Sequence, residues 1–324
     1  MIIAYLNKTS LTPTEINADN LALLSDAIWI DLLTPTPAEE KQVETYLNLD
    51  VPTRDEMREI ELSSRLYKDD GNLFMTASMI AQSDSNDPKL DAVTFLLTPK
   101  QLITIRYIEP QAFQLFIAHL RKLDEAHCDP AILLIELLDA TTDRLADILE
   151  LVAHQLDEQS KTIFRPQVGD TAPKLDYREI LLRIGANGEL NTKARECLIS
   201  FNRLTTFYGQ SIGTKIDGEG QIRLTTLSKD INALSDHANF ISTKVNFLLD
   251  ATLGMVNIEQ NNIIKIFSVA AVIFLPPTLI ASMYGMNFHV MPELSWKWGY
   301  PFAISLMLIS SWLPYTFFKR KKWL

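Results

Sequence analysis

Asn261, Ser268, Thr278 and Ser282 bring neutral oxygen groups to one helical face. With Ile264, Ala271 and Leu275 they recur at alternating spacings of three and four, the repeat of one α-helical stripe. Asn287 adds a carboxamide five residues beyond Ser282. Such groups hydrogen-bond without moving protons. The stripe has two readings of equal weight. Small residues let helices approach closely, and the same residues would line a water-filled path through a ring of helices. Other chemistry is sparse. The chain has no phosphate loop, no Gly-x-Gly-x-x-Gly and no Ser or Cys nucleophile constellation. His127-Cys128 has no second pair at metal-ligand spacing and reads as structural. Asp217-Gly218-Glu219-Gly220 is too short for a calcium loop. Neither an enzyme nor an organic cofactor is expected.

The stripe lies largely in an apolar segment. Ile266–Met283 is 18 residues without a charge, and Gly299–Phe318 is 20. About 20 apolar residues cross a hydrocarbon core of about 30 Å. Two membrane helices are therefore expected, with a buried core hairpin as the alternative. Trp296, Trp298 and Tyr300 at the start of the second segment, and Trp312, Tyr315 and Trp323 towards its end, suit the bilayer interface. Lys319-Arg320-Lys321-Lys322 directly follows it and predicts a cytoplasmic C-terminus. Two spans then place the N-terminal body in the cytoplasm.

The chain has 324 residues and a formal net charge of -10, with 30 Lys and Arg against 40 Asp and Glu. An acidic chain disfavours nucleic-acid binding, which calls for a basic surface. The mean hides an asymmetry. Residues 262–324 hold six bases and one acid, Glu293, for +5; the other 24 bases and 39 acids give -15 to residues 1–261. The two cysteines, Cys128 and Cys197, are too few for a disulfide framework. Met1–Leu6 has no basic n-region and is not a signal peptide.

Residues 1–128 read as an α/β domain. Its expected strands are Ile2–Leu6, Ala27–Leu32, Leu73–Ile80, Ala92–Leu97 and Leu102–Arg106, short apolar runs bounded by turn residues. Asp69-Asp70-Gly71-Asn72 signals a turn, Pro99-Lys100 a hairpin, and Thr36-Pro37 a helix start. Residues 129–220 read as an antiparallel helical hairpin and its connection, turning near Arg165–Pro173, with Gly209, Gly213, Gly218 and Gly220 breaking the pattern.

From Leu224 a heptad-like series begins. Leu224, Leu227, Ile231, Leu234, Ala238, Ile241, Val245, Leu248, Thr252 and Met255 keep three-four spacing without a miss. This is the seam of a coiled coil or of a helix packed on copies of itself; one helix of an ordinary bundle is the alternative. A helix over 221–284 would be about 96 Å long. About 30 Å of it lies within lipid, which leaves a cytoplasmic stalk of about 60 Å. The remaining divisions are an outer loop at 285–298, a second membrane helix at 299–318 and a basic tail at 319–324.

Tyr284-Gly285-Met286-Asn287-Phe288 closes the first span, followed by Met291-Pro292-Glu293-Leu294 and Trp298-Gly299-Tyr300-Pro301. With the basic end, this closely resembles the CorA-type magnesium transporter family, whose signature is Gly-Met-Asn at the outer end of the first of two C-terminal membrane helices. Asn246–Asp250, Asn257–Asn261, Ile263–Ser268, Phe274–Thr278 and Ala27–Leu32 resemble its enterobacterial branch. The resemblance covers the whole chain and is strongest after about Leu224. It implies a homopentameric funnel in a bacterial inner membrane: an α+β or α/β cytoplasmic domain, a helical hairpin, a pore-lining stalk helix and an outer second helix. It implies transport of Mg²⁺, with Co²⁺ and Ni²⁺, and closure of the pore by cytoplasmic Mg²⁺. The divalent cations, the lipid bilayer and the chain's own copies are the expected partners.

Mg²⁺ sheds its water reluctantly, so a first filter suits the hydrated ion. Tyr284, Gly285, Met286 and Asn287 form the expected filter. The Asn287 carboxamide accepts hydrogen bonds from water ligands, and the same residue is a natural helix C-cap. Gly285 lets the backbone turn and approach closely; Met286 packs to hold the loop. By matching position, Thr278 forms a second polar ring. Leu275, Ile264 and Phe267 form an apolar constriction, and Asn261 sits at the cytoplasmic mouth. Phe267 and Ser268 straddle the stripe, and either one faces the pore. Glu293 offers a negative outer collar, weakened by Lys297 and by His289 where relatives often carry Glu. Asp230 and Asp236 on the stalk, with Asp84, Asp87 and Asp91 on the first domain, are candidate regulatory metal ligands; solvated surface acids are the alternative. A zinc transporter of a sister branch, which carries a different middle residue in the triplet, and a membrane-anchored scaffold are the competing functions.

Overall fold

Among the described residues, the apolar runs before Tyr107 form seven strands: β1 (Ile2–Leu6), β2 (Thr12–Ile16), β3 (Ala27–Leu33), β4 (Leu66–Asp69), β5 (Asn72–Ala81), β6 (Lys89–Leu97) and β7 (Leu102–Arg106). They make one sheet of order β2-β1-β3-β7-β6-β5-β4. Only β3 and β7 pair parallel. The computed structural model describes residues 1–6, 12–59, 61–85, 87–120, 129–164, 175–212, 218–286, 291–321 and 323. The five central strands match the sequence expectation; β2 and β4 are additions at the two edges. β2 carries Pro13, which cannot donate to a ladder and is tolerated at an edge. β4 ends on Lys68 and Asp69, both exposed, and charge on an edge strand hides its pattern. Asp70 and Gly71 between β4 and β5 have φ of 43° and 87°. Positive φ at both positions is what a tight two-residue hairpin requires.

Each sheet face has its own cover. Ile2, Ala4, Leu6, Ile30, Leu32, Ile103 and Ile105 pack under Val43, Val51 and Met57. Val43 belongs to α1 (Pro37–Leu47), whose Thr36 and Glu39 form a reciprocal capping box. Met57 ends the short α2 (Arg54–Met57), which α3 (Leu62–Arg65) follows. On the other face Trp29 stacks on Tyr5 at 4.2 Å and meets Phe113 and Phe116 of α4 (Gln111–Leu120).

The Trp29 face also holds a buried ion pair. Arg106 donates from Nη2 to Asp31 Oδ2 at 2.8 Å and from Nε to Oδ1 at 3.1 Å. Thr104 Oγ1 donates to Asp31 Oδ1, and Trp29 Nε1 donates to Thr104 Oγ1. Arg106 Nη1 reaches the Ile108 carbonyl, and its guanidinium lies 4.5 Å over Phe113. Taking two charges out of water is costly unless each lone pair and proton is used; here the network uses most of them. The parallel β3–β7 register sets Asp31 beside Thr104 and Leu33 beside Arg106, which is what brings the pair together.

The helical part has α5 (Pro130–Phe164), α6 (Tyr177–Ile212), α7 (Gly218–Tyr284) and α8 (Gly299–Arg320). The expected hairpin turn at 165–173 lies outside the described residues. Gly209 does not break the pattern: it lies within α6, and a Cβ there would stand 3.5 Å from Leu224 Cδ2. Gly218 and Gly220 likewise lie inside the first turn of α7. The chain divides into two units, Met1–Leu249 and Asp250–Leu324.

Within the first unit the heptad seam is already filled. Leu224, Leu227, Ile231, Ala238, Ile241, Val245 and Leu248 are all buried in the single chain. These seven seam residues pack on this chain's own helices, so the bundle alternative is realised for them, while Leu234 is half-buried. Gly188 of α6 explains the close approach, since a Cβ there would meet Val245 Cγ1 at 3.1 Å. Asn191 Nδ2 donates to the Ala238 carbonyl and Ser242 Oγ. Arg223–Glu136 and Lys244–Asp157 ion pairs tie α7 to α5. Cys197 is fully buried, and burial pushes its thiol up, so it is unreactive. Cys128 lies outside the described residues.

Glu136, Asp139, Asp143 and Asp147 line one open cleft with Arg144, Arg223 and His119. Burial raises the Asp139 carboxyl above the usual range, Asp143 adds to it, and Arg223 opposes it.

Two outcomes follow from this packing. Arg106→Met leaves Asp31 charged and unpaired, and urea unfolding should show a loss of about 3–5 kcal/mol; Asp31→Leu with Arg106→Met should recover most of it. Asp139 binds a proton more readily folded than unfolded, so its ionised form opposes folding above its raised pKa. Asp139→Asn should therefore stabilise the protein at pH 7, and the gain should vanish as pH falls below about 4.

Candidate ion-conduction site

The second unit begins inside α7 and contains two helices fit to cross a bilayer. Their best windows have mean hydropathies of 2.2 and 1.3, and only 6% of each window is buried within the chain. A core hairpin would be buried, so that alternative fails on exposure.

The more sheltered residues of this stretch of α7 define one face. Val269 is buried, and Ile273, Pro276, Pro277, Ile280 and Tyr284 are half-buried. Ile273 shares an apolar cleft with Leu308, Ile309, Trp312 and Tyr315 of α8. The polar stripe lies elsewhere on the helix. Asn261, Ile264, Phe267, Ser268, Ala271, Leu275, Thr278 and Ser282 are all exposed. Phe267, at 72%, is among the most exposed.

The stripe's hydroxyls are oriented by their own helix. Thr278 Oγ1 donates to the Phe274 carbonyl at 2.7 Å, and Ser268 Oγ donates to the Ile264 carbonyl at 2.8 Å. Their hydrogens are used, which leaves their oxygen lone pairs as acceptors. Pro276 and Pro277 lie inside α7. Each lacks the N–H that would bond four residues back, so the carbonyls of Val272 and Ile273 lose their helical partners. This stretch is thus rich in neutral acceptors without carrying a charge.

The outer motif is described as far as Met286. Gly285 N donates to the Ala281 carbonyl at 2.9 Å, which continues the helical ladder one residue past Tyr284. The helix gives way to a turn at Gly285, which does not use the left-handed region. Its lack of a side chain matters for space, since a Cβ would stand 3.2 Å from the Ala281 oxygen. Met286 is 48% exposed among the described residues. Asn287 and His289 lie outside the described residues, as does the side chain of Glu293 in the 3-10 turn Pro292–Ser295.

The acids of the first unit are less available than their sequence suggests. Asp91 pairs with Arg54 and Arg58. Burial would raise its carboxyl, but hydrogen bonds from Arg58 and the Ala92 N–H outweigh this and hold it below the usual range. Asp84 pairs with Arg144 at 2.6 Å. Asp87, Asp230 and Asp236 are exposed and form no ion pair among the described residues. No group of three His, Cys, Asp or Glu side chains placed to hold a metal occurs among the described residues. The acidic cleft around Asp139 was missed in the sequence; the three-four spacing of residues 136, 139, 143 and 147 was its signal.

Comparison with known proteins agrees with this architecture. The family model for the CorA-like Mg²⁺ transporter protein matches residues 25–320. The chain is 35% identical over 325 residues to the magnesium transport protein CorA of Salmonella typhimurium, covering all of both chains. It is 35% identical over 311 residues to that of Escherichia coli K12, covering 96% of each. Among solved structures, the CorA magnesium transporter of Methanocaldococcus jannaschii aligns with TM-score 0.77 at 19% identity, covering 100% of this chain and 99% of that one. The ZntB cytoplasmic domain of Vibrio parahaemolyticus aligns over 79% of this chain and 97% of that one, with TM-score 0.54 at 12% identity. The exposed neutral-oxygen helix, the second apolar helix and the full-length match together place this chain in the family of CorA-like Mg²⁺ transporter proteins.

Proposed function

We propose that the chain carries Mg²⁺ across a bacterial inner membrane as a homopentamer, with both termini in the cytoplasm. The observation that carries this reading is the exposed, uncharged acceptor stripe of α7, which leads to Gly285-Met286-Asn287. In a ring of five copies the stripe faces the axis. Hydrated Mg²⁺ is the substrate. Asn287 carboxamides and backbone carbonyls accept hydrogen bonds from its water ligands at the outer end, and Thr278 hydroxyls do so deeper in. Neutral acceptors hold the ion weakly enough for release, which a ring of carboxylates would hinder. Leu275 and Ile264 provide a narrow apolar stretch that closes by dewetting. Co²⁺ and Ni²⁺, of the same charge, follow the same route. A zinc transporter is the second reading, supported by the fold-level likeness to the ZntB domain and opposed by Met286.

Gating is proposed to use cytoplasmic Mg²⁺. An ion that binds the closed state better shifts the population towards it. Among the described residues, Asp87, Asp230 and Asp236 form no ion pair with arginine, whereas Asp84 and Asp91 must first release theirs. The first three acids are therefore the stronger ligand candidates.

In liposomes loaded with a magnesium dye, Asn287→Ala and Gly285→Ala should abolish uptake while the oligomer persists on size exclusion. Undiminished flux in Asn287→Ala would remove the filter from the scheme, and preferential block of Mg²⁺ uptake by Zn²⁺ would favour the second reading. In the same vesicles, Mg²⁺ on the cytoplasmic side should slow uptake. Asp230→Asn with Asp236→Asn should raise the half-inhibiting concentration by about fivefold or more; an unchanged value would exclude both as ligands.

A further inference from the structure

A groove in the second unit lies apart from the conduction stripe. It is a cleft of about 440 Å³ walled by Ile273 of α7 and by Leu308, Ile309, Ser311, Trp312 and Tyr315 of α8. Leu308, Trp312 and Tyr315 are separated by four and three residues, and Lys319 follows after four more. All four therefore share one helical face. Lys319 Nζ stands 5.8 Å over the Tyr315 ring, and Lys321 Nζ stands 5.9 Å over Phe317. From Leu308 to Lys319 the helix rises about 16 Å, or about half of a 30 Å hydrocarbon core. The groove itself covers about 10 Å of that rise, from Leu308 to Tyr315, and Lys319 carries the face on to where headgroups begin.

We propose that this face binds an anionic phospholipid, with one acyl chain in the cleft and the phosphate at Lys319 and Arg320. The proposal rests on the membrane orientation given above. Charge complementarity favours lipid over a second copy of the chain. The one acidic side chain in residues 262–324 is Glu293, which precedes the opposite end of α8. The two charge-free spans of another copy therefore bring no carboxylate into the groove, and its nearest acid on that side, Glu259, lies seven residues or about 10 Å before the first span, whereas an anionic headgroup sits at the depth of the cationic end. Trp312 and Tyr315 add aromatic walls at the depth where such rings are favoured, and basic side chains near a headgroup region attract anionic lipid.

The test is native mass spectrometry of the purified full-length assembly, titrated in mild detergent with phosphatidylglycerol or phosphatidylcholine of the same chains. Phosphatidylglycerol should be retained in preference. Lys319→Gln and Arg320→Gln should each weaken its retention by about fivefold, Lys319→Arg should preserve it, and Trp312→Ala should weaken retention of both lipids. Equal retention of the two lipids, or retention indifferent to the loss of both charges, would overturn the site. So would a Trp312→Ala variant that breaks the assembly with lipid counts per chain unchanged, since the groove would then be an interface between copies. Lipid counts are read without ion flux, so loss of Mg²⁺ transport and loss of the lipid site are separate results.

Discussion

Unpaired backbone groups are too costly to leave in hydrocarbon, and helix α7 meets that constraint along Gly218–Tyr284 in two settings. Up to Leu249 its apolar seam is buried by α5 and α6, and polar contacts at Asn191, Arg223 and Lys244 fix its register. Beyond that it exposes apolar side chains, and its own ladder satisfies the backbone except at the Val272 and Ile273 carbonyls opposite Pro276 and Pro277. Thr278 and Ser268 take part by donating to carbonyls of the preceding turn. The two prolines work the other way and release the Val272 and Ile273 carbonyls from the ladder. One continuous element therefore serves as a bundle helix and as a candidate pore wall.

The distribution of charge follows the same division. The segment that meets lipid holds no ionic side chain between Ile266 and Met283, and the cations collect after Phe318. The acids are confined to the body, where many are neutralised locally. Asp31 is held by Arg106, Asp91 by Arg54 and Arg58, and Asp84 by Arg144. These pairs leave the net charge of -15 over residues 1–261 unchanged, since they join acids to bases already counted in it; they decide which carboxylates remain open to a divalent ion.

The fold was legible where the local pattern and the buried environment agree. The central strands read as apolar runs because both of their faces are covered, and Thr36-Pro37-Ala38-Glu39 declares its helix through a local capping box. Edge strands β2 and β4 were hidden by Pro13 and by Lys68 and Asp69, since an edge needs no apolar pattern. The candidate site was legible to the extent that it is periodic: the stripe from Asn261 to Ser282 follows from spacing alone. The Asp31–Arg106 pair was not legible, because 75 residues separate its members and only the parallel β3–β7 register joins them.

The two apolar spans, the charge asymmetry, the outer triplet and the family resemblance are all read directly from composition and local order. Tertiary structure alone decided what the heptad seam touches. The same three-four spacing serves a coiled coil of copies and a bundle within one chain, and periodicity cannot distinguish partners of equal apolarity. The small side of Gly188 beside Val245 and the reach of Asn191 to Ala238 settle it for the chain's own hairpin. Tertiary structure likewise decided which acids are paired, since an ion pair depends on where the fold brings two distant side chains and not on their number.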